Sequence, residues 1–251
     1  MPAGSKWLTK IRGASGVPRT RLLCFSYAGG STDLFRAWSD DLAPNVELLA
    51  VQLPGHGSRL REQPYPDWES LLKAAFTGLS PYLALPHAFY GHSFGGRLAY
   101  ELTHLVEAEY PGRTQWLFVS GCRSPDSPQA EPYLHERSGP EFRAALRELG
   151  GTPPEILESD AMMKVFLPAI HGEIRLAEIW ADRHGRGVDA PMAVMYGRDD
   201  PVDSWASVRG WPRFSRRSCE LIEIPGGHFF LETHRRDLIE IINNRLAGSD
   251  G

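Results

Sequence analysis

Three short runs of residues carry the groups that could do covalent chemistry. In Gly91-His92-Ser93-Phe94-Gly95-Gly96 a serine stands between small residues, directly after the apolar run His87-Ala88-Phe89-Tyr90. That pattern reads as a strand, a sharp turn and a helix, the nucleophile elbow in which tight geometry holds a serine hydroxyl clear of the backbone. A serine hydroxyl is a poor nucleophile until a base takes its proton, and the base needs an acid to orient it. A carboxylate run, Gly197-Arg198-Asp199-Asp200-Pro201-Val202, follows the apolar stretch Met192 to Tyr196. Pro225-Gly226-Gly227-His228-Phe229-Phe230 follows Cys219 to Ile224. The order Ser, Asp, His, each just past a strand, is the one this architecture requires. The chemistry would be attack of Ser93 on an acyl carbonyl.

Such an attack puts negative charge on the carbonyl oxygen, which backbone amides must meet. One donor is expected from Phe94, directly after the serine. The other is expected from Ala28 in Tyr27-Ala28-Gly29-Gly30, the turn after the first long strand. Position alone leaves Asp199, Asp200 and Asp203 competing for the acid. Of nine histidines, only His228 follows the last strand. His92 is expected to pack or hydrogen-bond beneath the elbow, His56 to be a loop residue near the entrance, and His171 to lie on an exposed helical surface. Cys122 is read as a small buried hydrophobe.

The elements that must position these residues alternate. Strands are expected at Arg21–Tyr27, Val46–Leu53, His87–Tyr90, Trp116–Ser120, Met192–Tyr196 and Cys219–Ile224, with helices over Trp68–Leu85, after the elbow, and at the C-terminus. Leu98, Leu102, Leu105 and Val106 make an inward stripe on the helix that follows the serine. Strands alternating with helices predict an α/β fold whose mostly parallel central sheet is covered on both faces. From Ser124 to Gly187 prolines and glycines separate helix-like pieces, which reads as a helical insertion between two strands. The expected organisation is an N-terminal extension over 1–20, a core over 21–123 and 188–248, and the insertion over 124–187.

A chain of 251 residues suits a single α/β domain. The formal charge of −4 gives no reason to expect nucleic acid or an anionic membrane surface as a partner. Three separated cysteines without C-x-x-C spacing argue against a disulfide framework or a zinc site and for a reducing compartment. No apolar stretch reaches transmembrane length, and residues 1–21 lack an apolar signal-peptide core. The expected location is cytoplasmic.

Phe25-Ser26-Tyr27-Ala28-Gly29-Gly30, Leu53-Pro54-Gly55, the elbow, Gly197-Arg198-Asp199-Asp200-Pro201 and the His228 run together resemble the type II thioesterases. These are the editing enzymes of polyketide and nonribosomal peptide synthesis. The resemblance spans about Arg21 to Leu246 and implies an α/β-hydrolase fold with a helical lid. It implies Ser93 as nucleophile and His228 as base, and the family's Gly-x-x-Asp spacing selects Asp200 as acid. Gly150-Gly151-Thr152-Pro153 and Phe166-Leu167-Pro168 match the family in the lid. After Pro168 the family usually carries a basic residue, whereas this chain reads Ala169-Ile170-His171-Gly172-Glu173. Met162, Met163, Phe166 and Ile170 are candidates to line an acyl channel, or else only to hold the lid onto the core.

The implied reaction is hydrolysis of acyl thioesters on the phosphopantetheine arm of acyl or peptidyl carrier proteins met transiently by a monomer, with no metal or resident cofactor. Two alternatives use the same residues differently: an acyl-CoA thioesterase or carboxylesterase acting on small acyl esters and thioesters, and a non-catalytic binding protein.

Overall fold

Successive residues of each central strand enter different cores, because side chains alternate between the two faces of a sheet. The computed structural model describes residues 6–129 and 131–248. Strands β1 (Leu8–Arg12), β2 (Thr20–Phe25), β3 (Val46–Val51), β4 (His87–His92), β5 (Thr114–Ser120), β6 (Met192–Gly197) and β7 (Cys219–Ile224) form one sheet in the order β1-β3-β2-β4-β5-β6-β7. All neighbours are parallel except β1, which pairs antiparallel with β3.

On one face Leu23, Phe25, Phe89, Leu117, Val119 and Val194 pack beneath helices α1 (Trp68–Leu83) and α2 (Phe94–Glu109). On the other, Leu22, Cys24, Tyr90, Phe118 and Met195 pack with Phe35 and Trp38 and with the C-terminal helix that carries Leu238 and Ile242. Both faces are covered, so these strands read as continuous apolar runs. The residues before β2 contribute β1, the edge strand of the sheet. Its Arg12 donates to the carbonyls of Ser39, Leu42, Ala43 and Val46 and so ties that edge to the turn preceding β3.

Between β5 and β6 lies a helical insertion: α3 (Gly139–Leu149), α4 (Pro154–Glu158) and α5 (Asp160–Glu178). Its own small core joins Phe142, Leu146, Leu157, Met163, Ile170 and Ile174. Helix α5 contains Pro168, and beyond that proline it is fastened to the core. Trp68 Nε1 donates to the Leu176 carbonyl at 2.9 Å, and Arg175 Nη1 donates to the Pro66 carbonyl at 2.9 Å. Short helices α6 (Trp205–Val208) and α7 (Phe230–Thr233) follow β6 and β7, and α8 spans Arg235–Ala247.

Candidate active site

The turn from β4 into α2 leaves almost no room for side chains. A Cβ on Gly91 would lie 2.1 Å from the Gly95 carbonyl oxygen, and one on Gly95 would lie 2.4 Å from the Phe25 carbonyl oxygen at the end of β2. Ser93, at the apex, holds φ 55° and ψ −116°, a region that L-residues avoid. Among the described residues it is the one non-glycine with positive φ. Backbone strain of this kind persists only where the surroundings enforce it. Here the Ser93 amide donates to the Ser120 carbonyl at 2.8 Å, and the Ser93 carbonyl accepts from Gly96 and Arg97.

The loops after β6 and β7 bring two further groups to the same spot. His228 Nε2 lies 3.1 Å from Ser93 Oγ, and His228 Nδ1 lies 2.8 Å from Asp200 Oδ2. Asp200 Oδ1 accepts from the amides of Val202 (2.8 Å) and Asp203 (3.0 Å). Burial works against charge on Asp200, yet the bond to His228 and the two amides outweigh it and hold the carboxyl below its ordinary range. The three candidate acids separate here. Asp199 is exposed, Asp203 is turned onto Arg97, and only Asp200 reaches the imidazole.

His92 lies under the elbow as expected, fully buried, with Nδ1 2.9 Å from Ser120 Oγ and its ring 5.3 Å from that of His228. Burial, and then the neighbouring His228, push it well below the usual histidine range, so it stays neutral at the centre of the site. Cys122 is buried, and burial pushes its thiol up to about 12.

Ala28 shares a cavity of about 460 Å³ with Ser93 and His228. Among the described residues neither the Ala28 nor the Phe94 amide has an acceptor, so both donors are free. Leu146, Leu149, Ile174 and Ala177 supply apolar lining from the insertion.

The four candidate channel residues do not line that cavity. Met163 and Ile170 are buried in the insertion's own core, Phe166 packs against it, and Met162 points to solvent. The physical reason is the direction of α5: one stripe of that helix must bury itself against α3 and α4. The residues that face the cavity, Ile174 and Ala177, come a turn or more later. His171 is half-buried, bonded to the His135 carbonyl at 2.8 Å, rather than exposed on the insertion's surface. His56 is buried, with Nε2 2.7 Å from Glu173 Oε1. Glu173 and Arg97 received no role from the sequence, and Asp203 entered only as a candidate for the acid. Nothing local marks a lid carboxylate or a helix arginine as facing inward.

Among the described residues no group of three or more His, Cys, Asp or Glu could hold a metal ion. No helix among them is long and apolar enough to cross a membrane.

A mostly parallel sheet with helices on both faces, and a serine, a histidine and an aspartate at the carboxyl ends of β4, β7 and β6, define an α/β-hydrolase fold. The chain belongs to the thioesterase domain family, whose model matches residues 20–246. It is a thioester hydrolase of the type II thioesterase kind. It is 30% identical over 246 residues to the thioesterase PikA5 of Streptomyces venezuelae, covering 98% of this chain and 87% of that one. It is 27% identical over 242 residues to the gramicidin S biosynthesis protein GrsT of Aneurinibacillus migulanus, covering 96% and 94%. Among solved structures it is similar to the type II thioesterase BorB from the borrelidin biosynthetic cluster. That match has a TM-score of 0.85 at 32% identity and covers 96% of this chain and 97% of that one.

Proposed function

We propose that the protein releases acyl groups from the phosphopantetheine arm of carrier proteins in polyketide or nonribosomal peptide synthesis, clearing stalled or aberrant acyl chains. The observation that carries this reading is the continuous contact from Ser93 Oγ through the His228 ring to Asp200 Oδ2, at 3.1 and 2.8 Å. The names and pathways of the relatives support the carrier-bound substrate.

In this mechanism Ser93 Oγ attacks the thioester carbonyl while His228 Nε2 takes its proton. Asp200, held as the carboxylate, fixes the proton on Nδ1 and stabilises the imidazolium. The free amides of Ala28 and Phe94 receive the oxyanion; removing one such donor costs roughly 3–4 kcal/mol in comparable sites. The tetrahedral intermediate collapses as the C–S bond breaks and the departing sulfur takes the proton from His228, which returns the imidazole to its neutral form. A thiol pKa of about 8.5 makes it a better leaving group than an alcohol. His228 then takes a proton from water, which attacks the acyl-serine and releases the carboxylic acid and Ser93. The reaction draws on no resident metal or cofactor.

The test is to load several acyl groups onto candidate carrier proteins and follow their release by wild type and Ser93→Ala. Release by wild type alone is expected, and equal release by both would remove Ser93 from the mechanism. Parallel assays on the matching acyl-CoA and p-nitrophenyl ester separate a carrier-directed enzyme from an acyl-CoA thioesterase or carboxylesterase. The carrier-directed enzyme prefers the acyl-carrier.

A further inference from the structure

The turn that carries the Ala28 amide is held from the lid on both flanks. Gly29 has φ 81°, and the Gly30 amide donates to the Tyr27 carbonyl at 2.9 Å, which together mark Tyr27–Gly30 as a type II turn. The Tyr27 carbonyl and the Ala28 amide share one peptide plane, so the direction of the Ala28 N–H follows the conformation of the turn as a whole. The next plane, Ala28–Gly29, is set from outside the turn. The Gly29 amide donates to Glu173 Oε2 at 2.7 Å, and Glu173 belongs to lid helix α5. On the other flank Tyr27 Oη lies 3.1 Å from the Gly151 carbonyl of the lid and 3.0 Å from Glu232 Oε1.

Glu173 is well placed to act as a fixed acceptor. Only 4% of the residue is exposed, and a carboxylate so buried requires donors on both oxygens. Gly29 supplies one, and His56, 2.7 Å from Oε1, supplies the other. The helix cannot slide to change this arrangement. A Cβ on Gly29 would come within 2.9 Å of Ile170 Cγ1, and one on Gly55 within 2.5 Å of Ala169 Cβ, so α5 sits directly on both turns. If the Ala28–Gly29 peptide flipped, the Ala28 carbonyl oxygen would face the Glu173 carboxylate in place of an N–H, an electrostatically unfavourable exchange.

We propose that Glu173 is a positioning residue for the oxyanion hole: its carboxylate locks the Tyr27–Gly30 turn in the form that presents the Ala28 amide to the reacting carbonyl oxygen. The hole is then complete only while α5 is seated on the core, so the lid controls transition-state stabilisation as well as access. The segment Ala169–Glu173, where the chain departs from its family's usual pattern, thereby gains a role. This inference rests on the proposed part of Ala28 in oxyanion binding.

The test compares wild type, Glu173→Ala, Glu173→Gln and Ser93→Ala on one acyl-carrier substrate, with kcat and KM measured separately. An oxyanion donor acts only in the transition state, so Glu173→Ala should lower kcat at nearly unchanged KM, by at least about tenfold and by no more than the ~10²–10³ that deleting a donor costs. Affinity for a trifluoromethyl ketone, which forms a tetrahedral oxyanion on the serine, should fall in step with kcat. Glu173→Gln keeps an acceptor opposite Gly29 and should recover most of the loss. Should Glu173→Ala fail to fold by circular dichroism, Glu173→Asp serves instead, because it keeps the charge but withdraws the oxygen from Gly29. An effect confined to KM, or an unchanged kcat, overturns the positioning role. An active Ser93→Ala would instead overturn the mechanism on which it rests.

Discussion

Arg97 Nη2 lies 3.3 Å from Asp203 Oδ2, with side chains only 3% and 1% exposed, and this pair closes a ring around the candidate active site. From Ser93 the ring runs through His228 to Asp200, from Asp200 Oδ1 to the Asp203 amide, across the ion pair to Arg97, and from the Arg97 amide to the Ser93 carbonyl at 3.2 Å. The helix that carries the serine and the loop that carries the acid are therefore joined twice. Removing one partner of a buried pair strands the other charge, at about 3–5 kcal/mol. Asp203→Ala should lose about that much in chemical denaturation, whereas Arg97→Met combined with Asp203→Leu should lose less than the sum of the two single changes. Arg97 Nε and Nη1 have no hydrogen-bond partner among the described residues, so replacing Arg97 also removes two unsatisfied donors. Strict additivity of the two changes would show that the contact contributes nothing.

Asp200→Asn should fold and yet be nearly inactive. The Val202 and Asp203 amides will keep the carboxamide oxygen on their side, which turns the NH2 toward His228 Nδ1 and forces the wrong tautomer. The corresponding change in a serine protease costs about 10⁴ in kcat. A loss below tenfold in single-turnover acyl release would show that Asp200 does not orient the base. The same carboxyl sets an acid limit. Its pKa is lower folded than unfolded, so its contribution to stability is present above about pH 4 and fades as pH falls through the folded value.

The His56–Glu173 pair acts at the other end of the pH scale. Burial alone would lower the His56 pKa, but the adjacent Glu173 carboxylate raises it above its usual value. Its stabilisation is therefore fully present below about pH 6.5 and is lost as pH rises through the folded pKa. The melting-temperature gap between wild type and His56→Gln should shrink from pH 6 to pH 9. A gap that stays constant over that range would show that no proton is linked to folding at His56.

Gly95→Ala should disable the protein through the backbone. The new Cβ would meet the Phe25 and Ser26 carbonyl oxygens at 2.4 and 2.5 Å, and neither belongs to a flexible side chain. Overpacking of this kind costs about 1–3 kcal/mol or more. Because Ser26 leads directly into the Tyr27–Gly30 turn, activity should fall further than the folded fraction measured by circular dichroism. Equal losses of the two would separate the elbow's packing from the turn.

Acyl preference should follow the residues that face the cavity. Leu149→Trp, at the apolar lining, should shift the kcat/KM profile toward shorter acyl groups, while Met162→Ala, at the exposed face of α5, should leave the profile unchanged. A shift caused by Met162→Ala with none from Leu149→Trp would relocate the acyl path to the outer side of α5.

Much of the core was legible because its signals are local. The apolar runs that became β2 to β7 lie within short windows, and the turn residues after them mark where each strand ends. The edge strand β1 was not legible, since Leu8–Arg12 is half polar and becomes a strand only by pairing with β3, some forty residues later. The insertion was legible as helices but not in orientation. Met163 and Ile174 lie on one stripe of α5 about three turns apart. Which of them reaches the cavity depends on where along the helix the cavity meets it, and that is settled by packing among distant segments.

The sequence by itself determined the chain order of Ser93, Asp200 and His228, the glycines that let the elbow turn, and the alternation that makes a parallel sheet, because each of these follows from neighbouring residues. The family resemblance singles out Asp200 among three aspartates, but only the tertiary structure shows it reaching the imidazole, and shows that Arg97 and Asp203 lock the nucleophile helix to the acid loop. The tertiary structure also decided that a lid glutamate holds the turn bearing Ala28. These are contacts between groups as many as 144 positions apart, Gly29 and Glu173 among them. Such contacts depend on burial and direction in space, which no local pattern of residues encodes.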